Sequence, residues 1–136
     1  MSTREALYQS LATSGAVLLS FIGVCHEVVG PQLFPWAPDA LGVAWHAIGV
    51  FGIIAGILMA AATLRLIHFP VFATAVVAGA IGLAVALFTG FTHGEFHMFA
   101  FAVVLAAIAT AVFHRKATGL AAAADQGSSH GSSAST

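Results

Sequence analysis

Residues 41–64 read LGVAWHAIGVFGIIAGILMAAATL, a run with one histidine and no acidic or basic partner for it. It exceeds the roughly 20 apolar residues that a hydrocarbon core of about 30 Å requires of a spanning helix. Three more runs of the same kind cover 7–29, 71–91 and 96–113. The whole chain has 136 residues, 60% hydrophobic and 7% charged, which lies outside the composition of a soluble globular domain. The expected fold is all-α: a four-helix transmembrane bundle, with helices at about 7–29, 41–66, 71–91 and 94–114. Residues 1–117 then make a single four-pass domain, with no length left for a soluble one.

Charge gives this bundle a direction. Arg4, Arg65, Arg115 and Lys116 are the only basic residues, and a four-pass topology puts all of them on one side. The excess of Lys and Arg in cytoplasmic loops then assigns both termini and the 65–70 turn to the cytoplasm of a cell (inner or plasma) membrane. His68 and His114 fall at that border as interfacial anchors. After Lys116 the composition turns to Ala, Gly and Ser, so residues 118–136, His130 included, are expected to form a disordered cytoplasmic tail. On the outward side, residues 30–39 hold three of the four prolines, Pro31, Pro35 and Pro38, and are expected to be non-helical. Phe34 and Trp36 in that stretch suit the headgroup zone. The single cysteine, Cys25, has no intramolecular partner and reads as a small buried hydrophobe. A run ending at cysteine resembles a lipoprotein signal, but Val24 stands where a small residue belongs and the apolar stretch continues to Val29, so the first helix is retained.

The outward ends of the runs gather His26, Glu27, His46, His93, Glu95 and His97. Ionisable groups at membrane depth are costly and are candidates for function by default. Helical spacing assigns them to faces. Glu27 continues the stripe Thr13, Ala16, Ser20, Gly23. His46 shares a face with Gly42, Gly49, Ile53 and Gly56, and His97 heads Ala100, Val104, Ala107 and Ala111. Small residues mark the faces along which helices pack in lipid, so Glu27, His46 and His97 are expected to point inward together. His26, about 100° round the helix from Glu27, is the less certain member. Aligning Trp45-His46 with Phe96-His97 also places Leu64-Arg65 on Arg115-Lys116, a faint internal repeat in which the two histidines are equivalent.

Three chemistries fit these residues. His93, His97, His46, Glu27 and His26 make a ligand set for a transition metal, with Zn, Fe, Cu or Mn all compatible with imidazole and carboxylate. The spacing of His93 and His97 matches the first half of the zinc-protease signature, but Gly94 follows where a catalytic glutamate is required. His46 and His97 on facing helices are also the obvious axial pair for one haem b. Glu27 and the histidines can alternatively form a proton path, with or without enzymatic chemistry. Thr92 and Glu95 fit a capping box at the start of the fourth helix, which gives Glu95 a structural use. Against all of these stands a non-catalytic accessory subunit of a larger membrane complex. The expected surroundings are the lipid bilayer and either a membrane-protein partner or further copies of the chain, with no nucleic acid. No nucleophile, cofactor loop or full set of histidine motifs points to an enzyme.

Overall fold

The computed structural model describes residues 1–134, and every regular element in it is helical. In chain order these are α1 (Thr3–Val28), α2 (Gly30–Leu33), α3 (Ala37–Leu41), α4 (Val43–Thr63), α5 (Val71–His93) and α6 (Met98–Ala134). Four of them, α1, α4, α5 and α6, are long and apolar enough to cross a membrane.

Several boundaries differ from the expected ones for local reasons. Helix α1 begins four residues early because Ser2 caps it: the Glu5 amide donates to Ser2 Oγ at 3.1 Å. The proline-rich stretch is not free of helix. It forms the short turns α2 and α3, with Pro31 and Pro38 in their first turns, where a missing amide costs nothing. A disordered tail finds no support: α6 runs on through the alanines at 121–124 to Ala134, as their high helix propensity favours. Ser135 and Thr136, the end of that expected tail, lie outside the described residues.

Helix α1 packs along both α4 and α6, and α6 packs along α5, whereas α4 and α5 have few close backbone approaches. The tight crossings use small residues, because only their absent side chains let two backbones close up. A Cβ added to Gly23 would stand 2.8 Å from the Gly49 carbonyl oxygen and 2.9 Å from the Ile53 amide nitrogen. Gly15 makes the same kind of approach to Thr110 and the Ala106 carbonyl on α6. Polar bonds then fix α1 to α4: Ser20 Oγ donates to the Ile53 carbonyl at 2.8 Å, Gln9 Nε2 to the Thr63 carbonyl at 2.7 Å, and Thr13 and Thr63 share a hydroxyl bond of 2.8 Å. Such bonds average about 0.6 kcal/mol each in a bilayer, enough to set register. Leu19, Met59, Ala75, Ala78, Ala106 and Ala107 fill the centre. Phe21, Leu83, Leu105 and Ile108 face outward, as lipid-facing side chains do.

The two ends of the bundle differ in chemistry. At one end Arg65 bonds the buried carboxylate of Glu5, Arg115 lies over Phe72 at 4.5 Å and Lys116 over Tyr8 at 5.3 Å. Arg65 holds a left-handed conformation (φ 61°) just past the end of α4, where glycine is the usual residue. The histidines singled out above occupy the opposite end.

Candidate functional site

The histidine-rich end divides into an exposed pair, a buried group and a loop pair. His46 and Glu27 form the exposed pair, with His46 Nδ1 2.8 Å from Glu27 Oε2. The expectation that His46 points inward is corrected: its side chain is 64% exposed, while its neighbour Trp45 is fully buried. Helix α4 keeps Gly49, Gly56 and Thr63 of the expected face buried and departs from it at its first turn, where Trp45 takes the interior place in exchange for His46. The reason is volume. The indole of Trp45 fills the space under the α1–α2 corner, within 2.6 Å of where a Cβ on Gly30 would sit. A side chain of that size takes the interior position and leaves His46 outside.

His26, the doubtful member, is the inward one, 4% exposed, and His97 is 3% exposed. Their rings lie nearly parallel (12°) with centroids 6.1 Å apart. Trp45 stacks on His26 at 3.9 Å, and Phe34 on His97 at 4.7 Å. The second oxygen of Glu27, Oε1, faces His26 Nδ1 at 3.5 Å. Glu27 therefore stands between the exposed ring of His46 and the buried ring of His26, on opposite oxygens.

His93 belongs elsewhere. It ends α5, and Gly94 (φ 64°) breaks the chain before α6 begins, so His93 and His97 do not share one helical face. His93 stacks on Trp36 at 3.4 Å and contacts Thr92 Oγ1 at 2.8 Å. Glu95 accepts from Trp36 Nε1 at 3.0 Å and does not cap α6, so the capping-box reading of Thr92 and Glu95 is corrected. The cap is His97: its Nδ1 accepts the Ala100 amide at 3.1 Å, three residues along. Nor are His46 and His97 equivalent, as the faint repeat implied, since one is exposed and the other buried.

These contacts set what the imidazoles can do. With Nδ1 of His97 taken as an acceptor, the neutral ring carries its proton on Nε2 and presents a donor there. A metal or haem iron needs a lone pair at that nitrogen. Among the described residues no three or more His, Cys, Asp or Glu side chains are placed to hold one ion.

The site also contains an imbalance. His26 Nδ1 and Nε2, Glu27 Oε1, Trp45 Nε1 and His97 Nε2 are buried without hydrogen-bond partners. Buried polar atoms in folded proteins nearly always have one; His26 Nδ1 and Glu27 Oε1 at least face each other at 3.5 Å, which leaves His26 Nε2, Trp45 Nε1 and His97 Nε2. His26 and His97 also head a narrow cleft of about 30 Å³, lined below them by Leu19, Gly52, Ala78, Gly82 and Val85.

Trp45 and Phe34 complete this site although nothing in their spacing marks them. The available signal was bulk: Trp45 is the largest side chain beside a histidine in a run otherwise rich in Gly and Ala. Comparison with protein-family models, curated proteins and solved structures returns no match. The chain is a helical bundle of four apolar, membrane-length helices, and its own residues carry the functional argument.

Proposed function

We propose that this is a small multi-pass membrane protein that holds an uncharged, lipid-borne molecule by hydrogen bonds to His26 and His97, at the outward face of a cell membrane. The observation that supports it is the pair of nine-tenths-buried imidazoles with unpartnered nitrogens at the head of an apolar cleft. Ligand sites have this composition: mostly apolar walls, with a few placed polar groups that fix orientation. An uncharged guest follows from the surroundings, since the walls are apolar and the Glu27 carboxylate repels an anion.

A transition-metal or haem centre on His46 and His97 would require His97 to release the α6 cap and His46 to turn inward. A proton path across the membrane would have to pass the packed apolar layer of Leu19, Met59 and Ala75 below the site. The chain His46–Glu27–His26 instead leads from the surface only as far as the cleft.

Native mass spectrometry of the protein released from nanodiscs tests the reading, run beside a metal analysis. The expected result is a one-to-one organic adduct on the wild type that is lost in His97→Phe, with no stoichiometric metal. A metal at one per chain, lost with the same substitution, would overturn it.

A further inference from the structure

We infer that the guest is an aromatic alcohol of the hydroquinone type with an apolar tail, entering sideways from lipid between α4 and α5. The inference rests on the reading that His26 and His97 hold a guest, and adds its chemistry and its route.

The hydrogen-bond code comes from the partners of the two rings. His97 gives Nδ1 to the Ala100 amide, so its Nε2 offers a proton. His26 turns Nδ1 toward the Glu27 carboxylate, which favours the tautomer with its proton there and leaves Nε2 as an acceptor. One donor and one acceptor, both buried and unpartnered, stand on nearly parallel rings. A hydroxyl satisfies both at once, accepting from His97 and donating to His26. A ketone or ester satisfies only the first, and a metal cation only the second.

The shape of the site supplies the rest. Phe34, His97, His26 and Trp45 form a stacked series, and Phe99 meets His26 and His97 edge-on at 6.2 Å. A flat ring suits such walls better than a branched aliphatic head. Below them the cleft is apolar, with Gly52 of α4 turned toward α1 and Gly82 of α5 toward α6. Of the four helix seams around the bundle, α4–α5 has the fewest close backbone approaches, and its two helices meet through Met59, Ala75 and Ala78 lower in the core. This seam lies against acyl chains, so a tail anchored there stays in lipid while the ring reaches the histidines. Parting α4 from α5 above those residues breaks few contacts, which is how a narrow cleft admits a ring.

Trp45 stacks on His26 and provides the readout. In a Trp36→Phe background in nanodiscs, decyl-hydroquinone should quench Trp45 emission saturably, and its dimethyl ether should bind about tenfold more weakly or less, because the His26 acceptor then stays unpaired. Val85→Phe, which narrows the seam, should weaken the hydroquinone about tenfold while leaving helix content unchanged. His26→Phe should remove the preference for hydroquinone over ether. If the ether or the parent quinone binds as tightly as the hydroquinone, the inference fails and the reading of a histidine-held guest stands. If none of the three binds and the purified protein carries no organic adduct, both fail and water alone occupies the site.

Discussion

Gly23→Ala tests the packing that builds the site. At this crossing the new methyl would lie 2.8 Å from the Gly49 carbonyl oxygen, 2.9 Å from the Ile53 amide nitrogen and 2.9 Å from Ile53 Cγ1. Two of these are backbone atoms, so no side chain can swing away and α1 must lift from α4. Overpacking of this kind costs about 1–3 kcal/mol. The better helix propensity of alanine returns about 0.5–1 kcal/mol. The expected net loss is about 1–2 kcal/mol, roughly a tenfold fall in the folding equilibrium. Reversible unfolding in mixed micelles with increasing SDS, followed by helical content, measures it. Gly90→Ala is the control, since nothing lies within 4 Å of its added Cβ, and it should be neutral or slightly stabilising. Gly79→Ala, 3.4 Å from the Ala107 Cβ, should fall between the two. If Gly23→Ala unfolds at the same SDS fraction as Gly90→Ala, the close α1–α4 crossing is wrong, and with it the position of Glu27 between two histidines.

Three further outcomes follow from other parts of the bundle. Arg65→Ala keeps the left-handed backbone strain and strands the buried Glu5 carboxylate, whereas Arg65→Gly relieves the strain by about 1 kcal/mol; the unfolding series should rank wild type above Gly and Gly above Ala, and equal values for the two variants would refute the strain. Glu95→Gln keeps an acceptor for Trp36 Nε1, so Trp36 emission should match wild type, while Glu95→Ala should shift it; a shift in both would show that charge, not the hydrogen bond, holds the indole. For orientation, a reporter fused at the C-terminal end should read as cytoplasmic and one inserted beside Asp39 as external, and exchanged readouts would reverse the assigned sidedness.

The number and placement of the long helices are legible in the sequence because length and hydropathy alone decide them. Which face each helix turns inward is not. Small residues recur around α1 and α4, so the stripe through His46, Gly49 and Gly56 looked as inward as any other. The stripe was half right, for Gly49 and Gly56 do pack on α1, against Glu27 and Ser20. At its top, however, the bulk of Trp45 outweighs the polarity of His46. The same contest explains His26, which lies inward because an indole offers it a stacking surface that sequence spacing does not reveal. Glu5 was legible and unmarked: Ser2 three residues before it is the first half of a capping box, but its pairing with Arg65 spans 60 residues and needs the fold. The α6 cap by a histidine ring has no sequence signature, so the conventional Thr92–Glu95 pattern took its place.

The tautomer of His97 decides whether a proton or a lone pair faces the cleft. Histidine-selective ¹⁵N NMR in nanodiscs distinguishes the two ring nitrogens and identifies which one carries the proton. With Nδ1 accepting the Ala100 amide, His97 should be protonated at Nε2, so that a donor faces the cleft. A His97 ring protonated at Nδ1 would break the cap, turn a lone pair toward the cleft and restore a metal or haem iron as its natural partner.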